Sequence, residues 1–333
     1  MTHPWPPGTA TGIGSLPVED SFEAVNLVFG ELPDLPYLPE LPHRGLGADM
    51  VGRAASLLLD MAVEWQPHGW TIAARPGRDQ GRARDYLRRD LDALVEHAQD
   101  ASLIKVQVCG PLTLGAALEL PNLHKVLTDR GAFRDLADSL AEGVAALLAN
   151  LAQQLPSARF VLQVDEPAAT AVLNGEIRTP SGYGTVGALD SAIAEPALAK
   201  LLGAADPGYR AVHCCAASVP FQLFAGAGAN AVSVDLSQLR VADFDAVGQL
   251  IDDGRSLWLG VVPGNGQATG GPELDRARLN ERIVGLWRQL GFDPALVAES
   301  IVPTPTCGLA GASPAYVRAS MRVLNEVGRS LLG

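Results

Sequence analysis

The chain has 333 residues, of which 47% are hydrophobic, 19% charged and only 5% aromatic, the balance of a globular protein whose core is filled by Ala, Leu and Val. Its 37 acidic against 25 basic side chains leave a net charge of −12, which excludes the basic footprint that a nucleic-acid backbone requires. No apolar run reaches membrane-spanning length, and Met1–Gly8 lacks the charged start and apolar stretch of a signal peptide. The four cysteines are Cys109, Cys214, Cys215 and Cys307; two are adjacent, a poor basis for a disulfide framework, so a reducing cytoplasm is the expected compartment.

In chain order, short β-rich runs are expected at Thr11–Leu16, Leu35–Leu38, Ile104–Val108, Phe160–Val164, Tyr209–His213, Ala231–Val234, Leu257–Val262 and Ser300–Pro303. Amphipathic helices are expected between them, at Ala83–Ala98, Phe133–Leu151, Ser191–Leu202, Phe244–Asp252 and Leu274–Leu290, with a last one from Ser313 to Leu332. Ser313-Pro314 supplies an N-cap followed by proline in the first turn. Eight strand-helix alternations predict an α/β fold, a single closed (β/α)8 TIM barrel spanning residues 1–333, with a doubly wound open sheet as the alternative. The barrel is favoured because Gly12-Ile13-Gly14-Ser15 lacks the third glycine of a nucleotide-binding turn. No repeat or interdomain linker is visible. Pro33, Pro36, Pro39 and Pro42 recur at every third position; this polyproline-like stretch is read as a stiff loop lining the barrel mouth rather than as an exposed ligand.

The reactive residues fall at the C-terminal ends of the expected strands, where barrel active sites are built. Ser15 ends the first, Gly110-Pro111-Leu112-Thr113 follows the third, and Asp165-Glu166-Pro167 closes the fourth. His213-Cys214-Cys215 ends the fifth, Asp235 the sixth, and Asn265 and Cys307-Gly308 follow the seventh and eighth. His213, Cys215, Asp235 and Cys307 thus form a plausible zinc ligand set of nitrogen, sulfur and carboxylate donors. Residues two apart on a strand point the same way, so His213 and Cys215 share a face and Cys214 points elsewhere. Cys109 and Cys214 are expected in the core. Asp235 could equally be a loop charge or a partner of the His213 imidazole. Asp165 is expected to meet a substrate amine, whereas Glu166 is given no direct role.

At these residues the sequence resembles the catalytic domain of the cobalamin-independent methionine synthase family, over essentially the whole chain and with five motifs in order. Ile13-Gly14-Ser15-Leu16-Pro17 is similar to the segment that receives homocysteine, and Gln163-Val164-Asp165-Glu166-Pro167-Ala168 to the aspartate motif that holds its amine. Val212-His213-Cys214-Cys215 resembles the zinc pair, Val232-Ser233-Val234-Asp235 the glutamate ligand segment, and Thr306-Cys307-Gly308-Leu309 the last ligand. The departures are specific. Asp235 replaces a glutamate and is one methylene shorter; Asn265 stands where full-length members place a proton-donating histidine; Ala117 and Ala171 stand where they contact folate through a tryptophan and a glutamate. Glu40 lies near the expected position of a second amine-binding glutamate.

The resemblance implies a zinc-dependent methyltransferase that makes methionine from homocysteine. Gly14 and Ser15 would bind the substrate carboxylate and Asp165, with Glu40, its ammonium; Asn265 would occupy the proton-donor position. The donor would be methyltetrahydrofolate or methylcobalamin, the latter free or on a corrinoid protein. Alternatives are a zinc-dependent alkyltransferase acting on another thiol, a metal-free enzyme resembling uroporphyrinogen decarboxylase, and a zinc-binding barrel without catalysis.

Overall fold

The computed structural model describes residues 3–206, 208–267 and 272–333. After an extended start come helices α1 (Ser21–Glu31) and α2 (Met50–Leu57), an antiparallel hairpin of β1 (Ala62–Gln66) and β2 (Gly69–Ala73), and the long helix α3 (Arg78–His97). Strand and helix then alternate through β3 (Leu103–Cys109), α4 (Pro111–Ala117), α5 (Arg130–Gln154), β4 (Arg159–Asp165), α6 (Ala169–Asn174), α7 (Ser191–Gly203) and β5 (Tyr209–Cys214). The chain continues with α8 (Phe221–Gly226), β6 (Ala231–Asp235), α9 (Phe244–Asp252), β7 (Ser256–Val262), α10 (Arg276–Leu290), α11 (Val297–Ser300), β8 (Ile301–Pro305) and α12 (Pro314–Ser330). Aspartates start several of the helices: Asp129, Asp190 and Asp275 each accept a backbone N–H of the first turn at 2.9 Å, and Ser313 does the same for Tyr316 at 3.3 Å.

Strands β3 to β8 form one parallel sheet in sequence order, a six-stranded half-barrel. The expectation of an eight-stranded closed (β/α)8 barrel is therefore corrected. Thr11–Leu16 and Leu35–Leu38 are not strands; they run extended beside the sheet and touch it through isolated bonds. Thr11 N–H donates to Pro303 O at 3.2 Å, Lys105 N–H to Pro36 O at 2.8 Å and Leu38 N–H to Lys105 O at 2.9 Å, and single bridges join Ser15 to Glu40 and Tyr37 to Lys105. The cause is compositional. Pro33, Pro36, Pro39 and Pro42 remove the N–H donors that a ladder needs, and Gly12 and Gly14 offer no side chain to stiffen a strand.

The edge of the sheet that begins each strand is sealed by apolar packing. Trp5 and Leu35 pack with Leu103, Val161, Ala211, Ala231, Trp258 and Val302 from all six strands, and the Trp5 ring meets Trp258 edge-on at 5.6 Å. Leu35 to Leu38 are buried, so the proline-rich stretch lines the interior. Among the described residues no helix is long and apolar enough to cross a membrane.

Candidate metal centre

Strand alternation delivers the thiols and the imidazole. On β5, Val212 and Cys214 turn into the apolar layer beneath the helices and are fully buried, while His213 and Cys215 turn the other way. Cys307 follows β8, and Gly308 beside it permits a close approach: a Cβ there would overlap Ser15 Oγ. The ligand atoms of His213, Cys215 and Cys307 lie within 4.8 Å of one another, a cluster able to hold a metal ion.

Two details fit a metal ion. The His213 Nδ1 lies 2.9 Å from Ser233 Oγ, directly opposite in the β5–β6 register, which leaves Nε2 buried with no hydrogen-bond partner among the described residues. A buried ring nitrogen is rarely left so unless it serves as a ligand. The Cys215 thiol donates to Cys307 Sγ at 3.5 Å. That bond and the neighbouring His213 imidazole lower the Cys307 thiol and raise Cys215, so of the two sulfurs Cys307 gives up its proton more readily. Two soft sulfurs and one imidazole are a donor set into which a zinc ion would fit with a fourth position open.

A cavity of about 230 Å³ opens at this cluster, lined also by Ile13, Gly14, Ser15, Glu40, Asp165 and Pro167. Asp165 is buried, accepts from Gln163 Nε2 at 2.7 Å, and is raised by burial to about 7 against the pull of His213. Glu40 is buried as well; burial raises it despite Arg53, whose Nε lies 3.8 Å away. Glu166 faces away from the cavity. Its carboxylate accepts from Leu112 N at 2.9 Å, Thr113 N at 2.7 Å and Thr113 Oγ1 at 2.6 Å, capping α4 from outside the helix, and Gly110 leaves room for it. A Glu166→Ala variant strands three buried donors and is expected to lose about 3 kcal/mol in urea unfolding while keeping its metal content.

Two expected site residues are not brought to the cavity. Asp235 ends β6 but accepts from Ser237 N at 2.8 Å, closing the turn that follows, and the cluster does not include it. Asn265 is exposed and is absent from the cavity lining. The reading of the sequence missed Ser233, although it stands two before Asp235 on the inward face of a strand. It also missed the inward Lys105, Gln107 and Gln163, which alternate with aliphatic residues on β3 and β4. A larger cavity, about 830 Å³, lies at the other end of the sheet against Leu103, Arg159 and Tyr209; it holds none of the thiols or buried carboxylates, so size does not mark the chemistry here.

Residues 8–330 match the family model described as cobalamin-independent synthase, catalytic domain. A search of curated proteins gave no match. Among solved structures, the chain is similar to a B12-independent methionine synthase from Shewanella sp. W3-18-1, solved in complex with selenomethionine, at 11% identity and a TM-score of 0.58, with 98% of each chain covered. A psychrophilic family 10 endo-β-1,4-xylanase aligns at 14% identity over 66% of this chain and 71% of that one, with a TM-score of 0.35. With the family model covering nearly the full length and a His/Cys/Cys cluster at the head of its sheet, the chain belongs to the cobalamin-independent synthase catalytic-domain family, within the methionine-synthase-like methyltransferases.

Proposed function

We propose that the protein is a zinc-dependent methyltransferase that moves a methyl group to the thiolate of homocysteine, giving methionine, with residues 1–333 acting as one catalytic unit. The observation that carries this reading is a single small cavity with two sulfurs and a free imidazole nitrogen on one wall and two buried carboxylates on another. That pattern matches an amino acid bearing a thiol: sulfur to the metal, ammonium to the carboxylates. The Shewanella enzyme was solved with selenomethionine, which supports an amino-acid product of the same shape.

Zinc bound by His213, Cys215 and Cys307 would lower the pKa of a substrate thiol and keep it as a nucleophilic thiolate at neutral pH. The protein's own residues then orient. Asp165 and Glu40 accept from the α-ammonium, while Ser15 Oγ and the Gly14 N–H donate to the α-carboxylate, fixing the direction of the sulfur. The surrounding apolar walls of Ile13, Pro42 and Met50 keep water from competing for the methyl group. Among the described residues no arginine or lysine lines the cavity, which speaks against a substrate with several carboxylates and hence against the decarboxylase alternative.

For the donor, a folate needs an aromatic platform and a proton source. Ala117 ends α4, Ala171 lies within α6, and the exposed Asn265 stands off the cavity; none supplies either. We therefore expect methyl transfer to homocysteine from methylcobalamin to exceed that from methyltetrahydrofolate when both are assayed side by side with zinc-loaded protein and methionine is measured. Faster turnover with the folate would reverse the donor assignment. No methionine from either donor, with an alkylated product from another thiol, would replace homocysteine as the substrate.

A further inference from the structure

Lys105 lies at the middle of β3 with no exposed surface. Its Nζ donates to Ile13 O at 2.7 Å, Gln163 Oε1 at 2.8 Å and Gln107 Oε1 at 3.4 Å, and sits 4.8 Å over the Tyr37 ring. Burial lowers this ammonium to about 7 against the pull of Asp165 and Glu40, and the three acceptors around Nζ, one for each N–H of the charged form, are what hold it protonated. Neither metal binding nor the substrate contacts described above involve this group.

Donor and acceptor chemistry assigns it a task. A lysine ammonium only donates, so each glutamine must turn its amide oxygen toward Nζ. The amide nitrogens then have one direction left. Gln163 Nε2 donates to Ile13 O at 2.9 Å and to Asp165 Oδ1 at 2.7 Å; Gln107 Nε2 donates to Leu38 O at 2.6 Å and to Glu40 Oε1 at 3.3 Å. Gln107 and Gln163 are paired in the β3–β4 register, so one cation beneath them sets both amides. Flipping either would place an amide oxygen against a carboxylate oxygen. Arg53, the other cation near Glu40, is shared with Asp90 and reaches neither glutamine.

We propose that Lys105 is a positioning residue that sets substrate specificity: by fixing the amides of Gln163 and Gln107 it aims Asp165 and Glu40 at the α-ammonium of an amino-acid thiol, so the site selects that substrate over the same thiol lacking the amine. This rests on the reading that the two carboxylates receive a substrate ammonium. Lys105 itself does not touch the substrate.

The test compares zinc-loaded wild type with Lys105→Met, measuring by calorimetry the binding of homocysteine and of 4-sulfanylbutanoate, its deamino analogue. The wild type is expected to favour homocysteine. The variant should bind homocysteine about tenfold more weakly, the worth of one charge-assisted hydrogen bond, bind the analogue as before, and hold the same zinc. Gln163→Met, which leaves the cation in place, should give a similar selective loss, and the double variant should add little; if Lys105→Met does not fold, Gln163→Met carries the expectation alone. Equal weakening of both ligands, or no change, would overturn the proposal. Equal binding of both ligands by the wild type would instead overturn the ammonium reading and the selectivity with it. A ligand-free measurement separates the two failures: the side-chain amide protons of Gln107 and Gln163 should exchange slowly in the wild type and fast in Lys105→Met, and unchanged protection in the variant would remove Lys105 as the group that orients them.

Discussion

A Cys307→Ser variant is expected to purify with less than about a tenth of the zinc held by the wild type, which should carry about one ion per chain, and to lose methyl transfer by on the order of a thousandfold or more. The physical reason is the loss of the softest donor. The Cys307 thiol is lowered by Cys215 and His213 beside it and ionises readily, whereas a serine hydroxyl stays protonated and is a poor zinc ligand. His213→Ala should act alike, since Nε2 is the buried nitrogen without another partner. Cys214→Ser is the control: its sulfur lies in the apolar layer on the opposite face of β5, so stability should fall while zinc stays. Metal analysis of the three purified variants checks all of this at once. Equal zinc loss in Cys214→Ser would mean that the wrong cysteine of the adjacent pair has been placed at the metal.

The parts of the fold read correctly in the sequence are those where one signal dominates. Phe244–Asp252 is a helix with the expected bounds, and Ser313 caps the last helix at Pro314. The six parallel strands were visible because their aliphatic runs are buried on both faces, as parallel strands are. The same hydrophobic criterion misled at Thr11–Leu16 and Leu35–Leu38, where burial is real but proline and glycine deny a ladder. The hairpin was missed although Val63, Trp65, Trp70 and Ile72 alternate around Pro67-His68-Gly69, a readable turn signal. Its anchor was not readable: buried Glu119 accepts from Lys125 at 2.9 Å and meets His68 Nδ1 at 2.6 Å, the second contact joining segments about 50 residues apart. At the site, period-two alternation separated Cys215 from Cys214. Alternation fixes only a facing direction, and so it could not tell that Asp235 would turn back to its own loop.

An Asp165→Asn variant should lose homocysteine affinity by on the order of a hundredfold while becoming more stable in its metal-free form. Both effects come from one burial. Asp165 is almost wholly removed from water, and this holds its carboxyl near 7, above its ordinary 3.8, against the opposing pull of His213, Gln163 and Lys105. A folded-state value raised above the unfolded one means the native protein binds the extra proton between about pH 4 and pH 7, so stability falls as pH rises through that window and the penalty is complete above it. Asparagine keeps the acceptor for Gln163 Nε2 and removes the charge. The metal-free variant is therefore expected to exceed the wild type by on the order of 4 kcal/mol at pH 8 and to match it near pH 4, as read from urea unfolding at the two values. The same substitution leaves a substrate ammonium facing a neutral amide, and breaking a buried charge pair in this way typically weakens binding by 30- to 1000-fold. The penalty tolerated in the empty site is thus what lets an ammonium bind, a trade of stability for function. Unchanged homocysteine binding in the zinc-loaded variant would remove Asp165 from the substrate site. Lower stability at pH 8 would mean that the carboxylate is paired more tightly than its burial implies, with Lys105 as the partner to test next.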